Sequence, residues 1–298
     1  MTILTLAIPA TLVGCGSSSD GDAGSTSTSP PAATVPQSST AETAPTPSAP
    51  PKPDVEIPAQ LPTELVITDL TPGTGPEAAA GDTVVVHYVG VRSVDGSEFD
   101  NSYDRGEPFP VVLGAGSVIQ GWDDGLLGVQ QGARRQLDIP ADLAYGDSPQ
   151  GDVIQAGDAL TFVIDVVAVI AASDPADAPE ITVEGGPNVE KIDIEDLVVG
   201  DGATIQAGQT AVVQIIAFRA DTGEQINSSW ESGQPLTFTF ASGDTIAGLE
   251  LGVDEMKVGG RRKVVVPYVL AFGDAGSPDN GLPATTDMVL VLDLIAAY

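Results

Sequence analysis

"SVIQGWDDGLLG", residues 117–128, places one of the chain's two tryptophans in a short apolar segment bracketed by glycines. In this part of the folded region only "VIQGWDDGLLGV" at 118–129 and "ADLAYG" at 141–146 could be helical. The surrounding segments are "TELVITDL", "DTVVVHYVGVR", "PFPVVL", "RRQLDIP" and "ALTFVIDVVAVI". These are rich in Val and Ile, alternate or run apolar, and are broken by Gly and Pro turns, which predicts antiparallel strands. A small antiparallel sheet with one short helix packed across it follows, an α+β domain.

The pattern occurs twice. "DLTPGTGPEAAAGDTVVV" at 69–86 matches "DLVVGDGATIQAGQTAVV" at 196–213, an offset of 127 residues. The same offset pairs Gly121 with Gly248, Gly125 with Gly252, Arg134 and Arg135 with Arg261 and Arg262, Pro140 with Pro267, and "LAYGD" at 143–147 with "LAFGD" at 270–274. A period of that size is a duplicated domain and not a solenoid repeat. The reading is one copy over 61–172 and a second over 180–298, joined by the linker "SDPADAPE" at 173–180.

Acidic residues outnumber basic ones by 42 to 11, so no basic stripe is available to follow a phosphate backbone and nucleic acid is excluded as a partner. A single cysteine, Cys15, rules out an intramolecular disulfide. It ends "ILTLAIPATLVGC", an apolar run of about a dozen residues, too short for a spanning helix, which needs ~20, but fitting the apolar region of a secretory signal. Leu12-Val13-Gly14-Cys15 resembles the bacterial lipobox, whose cysteine is lipidated and becomes the new N-terminus, although only Met1 and Thr2 precede the apolar run where a positive segment is expected. Residues 16–60 are mostly Ser, Thr, Pro, Ala and Gly and read as a disordered tether that cannot bury enough apolar surface to offset its ordering entropy. The expectation is an extracytoplasmic protein whose one membrane contact is a lipid on Cys15.

"VVVHYVG", then "DGSEFDNSYDRGEPFPVVLGAGSVIQGWDDGLLGVQQGARRQLDIPADLAYG", then "ALTFVIDVV" resemble the FKBP-type peptidyl-prolyl isomerases, the macrolide-binding immunophilins. The likeness spans about residues 64–170 and implies a half-barrel of antiparallel strands wrapped round one short helix. It further implies that Trp122 floors a pocket walled by Tyr88, Phe99, Phe109, Val118, Ile119, Tyr145 and Phe162. The implied catalytic set is Tyr88, Phe99, Asp100, Trp122, Tyr145 and Phe162. Arg105, Phe109, Val118, Ile119, Val153 and Ile154 would contact substrate. The Ile119 N–H and the Tyr145 hydroxyl would hold substrate carbonyls, and Asp100 would pair with Tyr88 and Arg105. For each of these residues alone, ordinary core or a structural ion pair is the competing reading. The chemistry implied is rotation about X-Pro bonds in unfolded or exported proteins, with no cofactor and no metal. The pocket would also take macrolide ligands.

His87, the only histidine, adjoins Tyr88 in a strand, so its side chain points to the opposite face and reads as structural. The second copy loses the pocket: Tyr88, Phe99, Asp100, Arg105, Phe109, Trp122 and Tyr145 become Ile215, Ile226, Asn227, Ser232, Leu236, Leu249 and Phe272. Two functions are therefore weighed: an isomerase working through its first copy, and a non-catalytic chaperone or scaffold.

Overall fold

A computed structural model describes residues 51–298. The proposed signal, Cys15 and most of the proposed tether lie outside the described residues.

In the first copy, strands β1 (Val66–Thr71), β2 (Thr83–Arg92), β3 (Glu98–Asn101), β4 (Phe109–Val112), β5 (Arg134–Ile139) and β6 (Leu160–Ile170) form one antiparallel sheet in the order β1-β5-β6-β2-β3. β2 carries two partners on its free edge, β4 along Thr83–Val86 and β3 further on, so the sheet bends at that point. The single helix, α1 (Gln120–Gly125), packs across the concave side.

Strand alternation sorts the two faces. Val84, Val86 and Tyr88 enter the cluster under α1 together with Leu137, Ile139, Phe162 and Ile164, while Val85 and His87 point the other way. α1 lies close to the sheet because its glycines allow it: a Cβ on Gly121 would stand 2.4 Å from Ile139 Cγ2, and one on Gly125 2.7 Å from Leu137 Cδ1. Its C-terminal end is closed by Arg135, a buried guanidinium that donates to the Gly125 and Leu127 carbonyls at 2.9 and 3.0 Å and pairs with Asp69 at 2.7 Å. These carbonyls have no partner within the helix, so the arginine satisfies them.

The second copy repeats the plan. β7 (Asp193–Val198), β8 (Thr210–Arg219), β9 (Gln225–Ser228), β10 (Leu236–Thr239), β11 (Arg261–Val266) and β12 (Met288–Ala297) form an antiparallel sheet in the order β10-β8-β12-β11-β7, with β9 also on β8. α2 (Ser229–Ser232) is a single turn, and α3 (Ala247–Val253) corresponds to α1. Arg262 reproduces the arginine closure, donating to the Gly252 and Asp254 carbonyls at 3.0 and 2.7 Å and to Asp196 at 2.6 Å. The chain is thus α+β, two tandem copies of one half-barrel.

Four local expectations change. The helix expected over 118–129 is confined to Gln120–Gly125, because Ile119 is extended (φ −61°, ψ 146°). "ADLAYG" gives only a 3-10 turn, Ala141–Leu143. β3 and α2 are additions: Glu98–Asn101 has a single large apolar residue and becomes a strand by pairing with β2. Residues 51–60, the end of the stretch expected to be a disordered tether, instead lie extended along the first copy. Lys52 Nζ reaches Glu98 at 2.9 Å and Asp104 at 3.2 Å, Gln136 Nε2 donates to the Glu56 carbonyl at 3.1 Å, and Pro53, Val55 and Pro58 are half-buried.

Candidate active site

Aromatic rings gather where the concave face of the sheet meets the start of α1. Trp122 is 4% exposed, and three rings stand edge-on to its indole: Tyr88 at a centroid distance of 5.1 Å (88°), Phe162 at 5.2 Å (84°) and Phe109 at 6.4 Å (72°). Phe99 joins them through Phe162 at 5.6 Å. These rings come from β2, β6, β4 and β3, so the site exists only once the sheet has closed. Edge-to-face pairs are the favoured aromatic geometry. Trp122 Nε1 is the one buried side-chain nitrogen or oxygen among the described residues that lacks a hydrogen-bond partner. Leaving a buried N–H unpaired costs about 1–3 kcal/mol, so such groups are rare in folded chains.

The polar side of the site is a closed triangle. Tyr88 donates its hydroxyl to Asp100 Oδ2 at 2.5 Å, Arg105 Nη1 donates to Asp100 Oδ1, and Arg105 Nη2 donates to the Tyr88 oxygen at 2.8 Å. The guanidinium also lies 5.4 Å from the centre of the Tyr88 ring. Burial and the hydrogen bond to Asp100 push the Tyr88 phenol up to about 12. Burial, with the nearby Asp100 carboxylate adding to it, also raises Tyr145. Both tyrosines therefore remain proton donors throughout the neutral range.

Val118 and Ile119 are half-buried against the core cluster just before α1, and the Ile119 N–H donates to no group among the described residues. Tyr145 is 37% exposed, and its hydroxyl is likewise free of a described partner. Phe109 is 40% exposed, so it is a rim residue despite its contacts with Tyr88 and Trp122. Ile154 and Val153 separate: Ile154 bridges back to Gln150 and is buried in the core cluster, while Val153 faces outward. Ile154 therefore joins the core cluster that contains Trp122, and Val153 is exposed to the same degree as Phe109 and Tyr145.

One positioning residue had no role in the sequence reading. Asp123, the first aspartate after Trp122, is buried and accepts from the Gly114 and Gly116 N–H groups at 3.1 and 3.0 Å, fixing the loop that leads to Val118 and Ile119. Glu250 receives Gly243 N–H at 2.9 Å in the second copy, so the device is shared. His87 is structural in its surroundings: it is buried on the outer face, 3.0 Å from Ser102 Oγ and stacked on Tyr103 at 4.9 Å, with its pKa lowered by burial.

Two stretches, 75–167 and 202–295, match the family described as FKBP-type peptidyl-prolyl cis-trans isomerase. The chain belongs to that family. Among curated relatives of this FKBP, the FK506-binding protein of Streptomyces anulatus is 52% identical over 120 residues, covering 40% of this chain and 97% of the relative. The human peptidyl-prolyl cis-trans isomerase FKBP10 is 33% identical over 233 residues, covering 78% of this chain and 37% of its own length, so the chain spans only part of that larger relative. FkpA from Escherichia coli, a solved structure, is 36% identical with a TM-score of 0.33, over 40% of this chain and 53% of that one.

The second copy of this FKBP keeps the scaffold but not the aromatic rings. Leu249 takes the place of Trp122 and is buried, with Ile215 and Ile226 packed against the same cluster. The strand pairing adds one replacement. Arg134 is bonded to Asp165, and Arg261 to Asp293, so one extra residue lies in the loop before β12, and Phe162 corresponds to Leu290. No aromatic–aromatic contact is present in the second copy among the described residues.

Proposed function

We propose that the first copy carries the isomerase activity and that the second does not. The observation that supports this most directly is the buried Trp122 surrounded edge-on by Tyr88, Phe109 and Phe162, a ring set that Leu249 and its neighbours lack in the second copy. An X-Pro bond rotates over a barrier of ~18–20 kcal/mol because the amide loses resonance as it twists. The twisted amide is less polar than the planar one, so a water-poor aromatic site favours it, and that difference in binding lowers the barrier. Phe99, Phe162 and Trp122 would pack the proline ring. The Ile119 N–H and the Tyr145 hydroxyl, both without described partners, would hold the flanking carbonyls. Asp100 orients Tyr88 and Arg105 beside them.

The substrates proposed are X-Pro segments of exported proteins, with macrolides as competing ligands. This rests on the Cys15 context. Exchange spectroscopy on an X-Pro peptide tests the activity: acceleration that a macrolide abolishes supports the reading, and none above the uncatalysed rate overturns it. Fractionation of cells carrying Cys15→Ala tests the anchor: release from membranes supports it, and unchanged retention overturns it.

A further inference from the structure

One apolar cluster belongs to neither core. Val85, Ala168 and Ile170 of the first sheet meet Val212 and Ala296 of the second, with Val167, Ile295 and Tyr298 packed around them. These are equivalent residues. Val85 corresponds to Val212 at the offset of the N-terminal motifs, and Val167, Ala168 and Ile170 correspond to Ile295, Ala296 and Tyr298 at the offset set by Asp165 and Asp293. A head-to-tail contact would join two different patches. Here one patch meets its own counterpart, the signature of a two-fold contact.

One wall of each cleft beside this contact repeats the same relation. One cleft, of about 1010 Å³, is lined by His87, Arg134 and Asp165 and by Thr210 and Tyr298 of the other copy. The second, of about 400 Å³, is lined by the matching Gln214, Arg261 and Asp293, by Ala171 of the first copy and by Ser173 of the linker. The linker crosses this smaller cleft, where Gln214 Nε2 donates to Ser173 Oγ. All the residues of the contact lie on the outer faces of the sheets, whereas Tyr88 and Trp122 lie on the inner face of the first.

We propose that the second copy is the docking partner of the first: the two sheets associate back to back about a pseudo-two-fold axis and hold together without the linker. The second copy has lost its aromatic site but keeps an apolar residue at each docking position. Docking uses the face opposite the aromatic site, so it covers Val85 and Ala168 without obstructing Trp122.

The test uses the whole chain with a protease recognition sequence inserted between Asp177 and Ala178, cut under native conditions. The two halves are expected to co-elute on size exclusion at micromolar concentration and to part only in denaturant. With Val212→Asp the cut halves are expected to separate, both still folded by circular dichroism, with the isomerase rate of the first half unchanged. If Val212→Asp unfolds its own half, Tyr298→Asp, at the half-buried margin of the contact, is read instead. Separation of the unsubstituted halves would overturn the proposal. So would halves that stay together when the folded variant carries Asp at the contact.

Discussion

Trp122 and Leu249 fill the same place in the two copies, one at the start of α1 and one at the start of α3, and both are almost wholly buried. The scaffold therefore accepts leucine there. Trp122→Leu should leave the first copy folded, with a stability loss of about 1–3 kcal/mol from lost aromatic packing. The isomerisation rate and the affinity for a macrolide should fall together, because both need the indole. A urea titration with rate and binding measured on the same purified variant checks this. Unchanged rate and affinity in the folded fraction would make Trp122 core alone.

Tyr88 gives the site a pH signature. Its phenol ionises near 12 in the folded chain, against 10.0 as the ordinary value. A group with a raised folded pKa contributes stability that is fully present below its unfolded value, here below 10, and is lost as pH rises towards 12. The tyrosinate absorbance of the parent minus that of Tyr88→Phe should show no transition near 10 and one near 12. A difference transition near 10 would mean that the hydroxyl is not held by burial and Asp100.

The close packing of α1 makes Gly121 sensitive. A methyl group there would meet Ile139 Cγ2 at 2.4 Å, on a side chain that is fully buried and branched at Cβ. Gly121→Ala should destabilise the first copy by roughly 1–3 kcal/mol through overpacking, despite alanine's better helix propensity. Thermal unfolding reads the outcome, and a midpoint at or above that of the parent would contradict it.

The half-barrel is legible in the sequence because its strands carry Val and Ile between Gly and Pro turns, and because Gly121, Gly125 and Arg135 recur as Gly248, Gly252 and Arg262. The site is less so. Tyr88, Phe99, Trp122 and Phe162 lie on four separate elements, and only the order of the surrounding motifs connects them. Val153 and Ile154 are neighbours with opposite fates, since the Gln150–Ile154 bridge turns one inward and the other out. β3 has too little apolar content to announce itself and depends on β2. The back-to-back contact left a trace that pattern reading did not use: in "TVVVHYVGVR" Val84 and Val85 are both buried, as happens when both faces of a strand are covered.

Exchange spectroscopy on one X-Pro peptide, with residues 51–172 and residues 173–298 assayed separately, decides whether catalysis resides in the first copy. The first should accelerate isomerisation, and the second should be slower by about tenfold or more, a barrier difference of at least ~1.4 kcal/mol. Equal rates from the two folded halves would contradict it.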